Sequence, residues 1–183
     1  IAGSLHILTP APPPDSVGEQ KTLVLLIDFL DSGPPPKTPA EIYDLTFNGQ
    51  FQKFYREQSY NKVRFTGDVK GWYTLPRNNN CIDPPAPESY NETARLILDN
   101  NIDLSLYDRL VIGIGALCGG GYSGVGKSNF SVGDKNFNLS IAWVRASESD
   151  FSSEWSGGDI KHLFSLLVWD FVLDHEMGHS LGV

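Results

Sequence analysis

The sequence predicts a mixed α/β (α+β) fold, a twisted mixed sheet of about five strands with one antiparallel edge strand, flanked by helices and closed by a long helix at the C-terminus. Three observations predict it. Lys21 to Leu30 (KTLVLLIDFL) and Leu110 to Ile114 are almost unbroken apolar runs, as strands covered on both faces are. Other stretches carry apolar residues at helical spacing. The resulting order of elements, βαβαββα without an internal repeat, suits a sheet with helices packed against it.

Residues 1–20 carry Pro10, Pro12, Pro13 and Pro14 with little periodicity, and read as an extended leader or linker. Residues 21–183 form the expected domain. After the first strand, Pro34 to Pro36 end the run, and Thr38-Pro39-Ala40-Glu41 gives a capping box with proline at the first helical position. Asn48-Gly49 breaks that helix, and Phe51, Phe54, Tyr55 and Gln58 resume helical spacing. Val63 to Val69 alternates and continues through Trp72 to Pro76 as a second strand, bent at Gly67 or Gly71. Tyr90, Ala94, Ile97 and Leu98 mark a further helix that stops near Asn100-Asn101. Cys118 to Gly133 reads as a Gly/Ser loop, Leu139 to Val144 as an edge-type strand, and Ser156-Gly157-Gly158-Asp159 as the turn and N-cap of the final helix.

A chain of 183 residues with 40% hydrophobic content can bury one sizeable core. Its net charge of -8 argues against a phosphate-binding surface, so nucleic acid is not an expected partner. The longest apolar run, Leu163 to Leu173, is broken by Ser165, Trp169 and Asp170 and falls short of the roughly 20 residues of a membrane span. No basic n-region precedes an apolar stretch after Ile1, so a signal peptide is expected to have been removed or to lie outside this sequence. Cys81 and Cys118 both fall in loops. That allows a disulfide in an oxidising compartment, which is preferred because a free thiol in either loop would be open to oxidation.

The chemistry concentrates in VLDHEMGHSLGV at the C-terminus. His175-Glu176-x-x-His179 on a helix sets two imidazoles one turn apart with a carboxylate between them in sequence. Two neutral imidazoles can ligate Zn²⁺, and Glu176 is then placed to act as the base toward a water of lowered pKa. On a helical wheel drawn from Phe164, the apolar Leu167, Val168, Phe171 and Val172 share a sector with His175 and His179. The histidines are therefore expected to point where the core side chains point.

A rival motif is Gly121-Tyr122-Ser123-Gly124-Val125-Gly126-Lys127-Ser128, which satisfies G-x-x-x-x-G-K-[ST] after a buried strand. As a nucleotide-binding P-loop, its amides would surround phosphate, Lys127 would reach the terminal phosphates and Ser128 would hold Mg²⁺. The residues that follow, Asn129 to Asn136, are turn formers without a helical stripe, whereas a P-loop must open a helix. Asp170 and Asp174 could orient a ligand or form a solvated acidic face, His162 reads as a surface histidine, and Trp143 and Trp155 read as packing residues.

HEMGHSLGV resembles the first nine residues of the extended HExxHxxGxxH motif of the metzincin zinc peptidases. Ser59 to Val69 with Trp72 to Pro76 is similar to a block of secreted gametolysin-like and immune inhibitor A-like metallopeptidases, and Tyr107 to Val111 is similar to a strand of the same group. The resemblance implies a zincin-like upper subdomain with the active-site helix at its C-terminal end. It also implies an extracellular zinc endopeptidase acting on protein or peptide substrates, with His175 and His179 as ligands and Glu176 as general base; a monomer is expected. Gly182 becomes the turn after the helix, and Leu139 to Val144 the edge that pairs with an extended substrate. The third histidine of the motif would fall two residues beyond Val183, and no downstream methionine is present, so residues 21–183 are expected to be the N-terminal part of a catalytic domain. With two imidazoles alone, zinc binding and activity are expected to be weak. A non-catalytic zincin-like binding module is the further alternative beside the P-loop.

Overall fold

A computed structural model describes residues 16–35, 37–79, 87–115, 121–146, 169 and 172–181. Six strands form the sheet. β1 (Gly18–Phe29) lies between β2 (Val63–Leu75) and β3 (Arg109–Ile114), parallel to both, and β3 runs parallel to β6 (Lys135–Arg145). β4 (Gly121–Ser123) and β5 (Ser128–Val132) both pair antiparallel with β6, which gives the order β2-β1-β3-β6-β4. The mixed sheet with an antiparallel edge matches the expected architecture, with one strand more.

The sequence pattern explains the layering. Alternate residues of β1 serve two cores: Leu23, Leu25 and Ile27 join the one beneath α3 (Pro87–Asp99), while Val24 and Leu26 join the other. On that second face lie α1 (Pro39–Tyr43), one π-helical turn at Asp44–Asn48, α2 (Gln50–Gln58) and α4 (residues 172–181). The α1 capping box forms as the sequence predicts: Thr38 Oγ1 accepts from Glu41 N–H, and Glu41 takes the Thr38 N–H at 2.7 Å. In β2, Gly67 has φ +152° and a Cβ there would lie 1.7 Å from Thr22 O, so only glycine fits. A bulge follows, where three steps of β2 from Lys70 to Tyr73 oppose two of β1 from Leu25 to Ile27.

Several expectations need correction. β1 begins at Gly18, so Gly18, Glu19 and Gln20, read with the leader, belong to the sheet, and Gln20 is buried there. In α2 only Phe51 and Tyr55 turn inward; Phe54 is exposed. Likewise α3 buries Ser89, Thr93, Leu96 and Ile97 and leaves Leu98 exposed. The described part of the Gly/Ser loop holds two strands. Leu139 to Val144 is not an edge but an interior strand, buried throughout because β3 covers one side and β4 and β5 the other. Trp143 is a core residue, as expected. Cys81, Cys118, Trp155, His162, Asp170 and Gly182 lie outside the described residues. No helix among the described residues is long and apolar enough to cross a membrane.

Candidate metal centre on the C-terminal helix

α4 is seated by Leu173, Met177 and Leu181, each buried in the second core at four-residue spacing, with Trp169 before them against Gly113. His175 and His179 each follow one of these residues by two positions, about 200° around the helix, and so face away from the sheet. His175 is exposed and His179 partly so. This corrects the wheel reading, in which the histidines continued the apolar sector. A ligand pair on the open side leaves room for a metal, its water and a substrate, which a core position would not.

The two imidazoles converge, with Nε2 to Nε2 at 3.2 Å and rings nearly perpendicular at 87°. Two nitrogens bound to one tetrahedral zinc at about 2.0–2.1 Å stand about 3.3 Å apart, so the pair fits as two ligands of a single ion. Among the described residues no group of three His, Cys, Asp or Glu surrounds that point. Glu176 is 6% exposed. Burial pushes its carboxyl above the usual carboxylate value of 4.5, while His175 and His179 pull it back.

The rival motif turns out to be the wall of this site. β4 and β5 make one interrupted partner for β6, in which residues 124–127 bulge out opposite residues 140–141. β5 follows Lys127 directly, so the helix a P-loop requires is not there. A Cβ at Gly121 would lie 2.6 Å from Val172 Cγ1 and 2.9 Å from Glu176 Oε1, so the general-base candidate rests against bare β4 backbone. Ser123 Oγ is 3.1 Å from Ser180 Oγ, and Gly126 N–H donates to His179 O at 3.0 Å. Lys127 Nζ reaches Asp108 Oδ1 at 3.3 Å.

Two further residues hold α4, and neither was read from the sequence as part of the site. Tyr55 Oη of α2 donates to Asp174 O at 2.5 Å. Arg109, 1% exposed, donates from Nη1 to Ser180 O at 2.8 Å. The usable signal for Arg109 was a charged residue heading the apolar run Leu110 to Ile114, which must find partners if the strand is buried. The bond from Tyr55 ties the Asp174 carbonyl to α2, and the Asp174 charge acts on the same phenol. A groove of about 440 Å³ lined by Gln52, Lys53, Arg56 and Glu57 shares no residue with this site. No protein-family model matches the chain, and no curated protein is significantly similar to it.

Proposed function

We propose that the chain belongs to the catalytic domain of a secreted zinc-dependent endopeptidase that hydrolyses peptide bonds in protein or peptide substrates. The observation that carries the reading is the convergence of His175 and His179 Nε2 at 3.2 Å on the open face of α4, with Glu176 beside them against the sheet edge. Zinc held there would supply a Lewis acid and a water of lowered pKa. His175 and His179 would hold the ion through Nε2, two of the three protein ligands that catalytic zinc takes.

Glu176 would take the proton of a water whose oxygen bonds to the carbonyl carbon, and deliver it to the amine as the C–N bond breaks. A carboxyl whose affinity for protons is raised by burial suits that exchange. The antiparallel edge β4, rather than Leu139 to Val144, offers the backbone groups to which an extended substrate could add as a strand. A peptide paired there would lie beside Gly121, and therefore beside Glu176.

The test is hydrolysis of a quenched fluorescent peptide library by the full-length protein, with and without a chelator. Hydrolysis should be lost on chelation and return with Zn²⁺, and Glu176→Gln should retain zinc while losing about a hundredfold or more in rate. Cleavage indifferent to both treatments would overturn the proposal. Stoichiometric zinc binding without any hydrolysis would favour the non-catalytic binding module instead.

A further inference from the structure

We infer that Arg109 is a positioning residue for the metal-ligating turn of α4. The inference rests on the proposed zinc site but assigns a new residue to it, one that lies on β3 and touches neither imidazole ring. Gly126 N–H donates to His179 O, the carbonyl of the ligand candidate itself, and Arg109 Nη1 donates to Ser180 O, the next one.

The guanidinium is itself fixed from two other strands. Gln20 Oε1 on β1 accepts from Nε at 2.9 Å and Nη2 at 2.6 Å, and Ser140 Oγ on β6 accepts from Nη1 at 2.9 Å. A planar fork held at both ends has one orientation, which a lysine ammonium cannot reproduce. Its hydrogen bond to Ser180 O draws this turn of α4 toward the sheet. Arg109 thereby sets the depth and rotation at which His179 leaves the helix, and with it the distance between the two Nε2 atoms. Burial alone would make Arg109 a stability residue. What separates it from one is that its bond to Ser180 O falls on the residue after a ligand candidate.

The experiment measures Zn²⁺ affinity of the full chain by competition with a chromophoric chelator, together with the visible spectrum of the Co²⁺-loaded protein. The proteins are wild type, His175→Ala, Arg109→Lys, Gln20→Ala and Leu104→Ala. Leu104 is a buried residue of the opposite core and serves as the stability control. Outer-sphere changes at metal sites commonly weaken binding by 10- to 100-fold, so Arg109→Lys should lose about tenfold or more and shift the Co²⁺ band. Gln20→Ala should move affinity the same way, because it frees the guanidinium without touching α4. Leu104→Ala should bind as wild type does despite its lower unfolding midpoint. A folded Arg109→Lys that matches wild type in affinity and spectrum overturns the inference, as does an equal loss in Leu104→Ala. If Arg109→Lys does not fold, Gln20→Ala decides, and unchanged affinity there overturns it as well. A wild type that binds no zinc, or a His175→Ala variant that binds as well as wild type, removes the zinc site itself, a result distinct from wild-type binding that is insensitive to Arg109 and Gln20.

Discussion

At Gly121 the sheet edge and α4 meet without room for a methyl group. The nearest atoms to an added Cβ would be Val172 Cγ1 at 2.6 Å and the Glu176 side chain at 2.9 Å. Gly121→Ala should therefore cost about 1–3 kcal/mol in a urea titration, as overpacking of a tight contact does, and should lower hydrolysis beyond what the lost stability explains. A variant as stable as wild type would show that α4 can shift without strain. The same residue scale contains what was legible and what was not. The pair His175 and His179 with Glu176 was readable from spacing alone, because a four-residue interval on a helix superposes side chains. Their direction was misread because the wheel was anchored on Leu167, Val168, Phe171 and Val172. Leu173, Met177 and Leu181 repeat every four residues across the motif itself, and that nearer pattern marks the buried face. Met177, inside the motif, is 1% exposed.

At the scale of elements, tertiary contacts from α2, β3, β4 and the bulge fix the described turns of α4. Tyr55 carries the contact from α2, within a cluster formed with Phe51 and Phe65. Tyr55→Phe removes its bond to Asp174 O and should cost about 1 kcal/mol near pH 8. The effect has a defined pH dependence. Burial, and then the charge of Asp174, push the Tyr55 phenol well above its usual 10.0. The unfolded chain therefore ionises first as pH rises, so stability due to Tyr55 is full below pH 10 and declines above it. The variant lacks that decline, and the gap between wild type and Tyr55→Phe in unfolding midpoints should narrow between about pH 9 and pH 11. A gap constant across that range would mean that the hydroxyl is solvated rather than buried. Elements were legible where periodicity was long, as in β1 and the α1 cap. β5 was missed because its alternation, with Phe130 and Val132 buried, spans five residues among loop-forming neighbours. β6 passed for an edge because its first residues are polar, although Leu139 to Arg145 is buried throughout.

On the scale of the whole molecule, the two cores divide the work. One side of the sheet is closed by α3, and the other carries α4 with His175 and His179 turned outward, so the histidines contribute little to the fold while their helix contributes much. His175→Ala and His179→Ala should each leave metal-free stability within about 0.5 kcal/mol of wild type, as substitutions away from packed groups do. Met177→Ala, two positions after His175 but facing the core, should cost about 2–5 kcal/mol. Adding Zn²⁺ reverses the ranking of what matters. An ion that binds only the folded chain stabilises by mass action, about 2.7 kcal/mol when it is present at a hundred times its dissociation constant. Wild type and Met177→Ala should both gain that increment in thermal melts, each from its own baseline, and lose it on chelation. The two histidine variants should gain almost none. A zinc-dependent shift that survives both histidine substitutions would place the binding site elsewhere on this acidic surface, and its absence from wild type would leave the 3.2 Å imidazole pair without a ligand to hold.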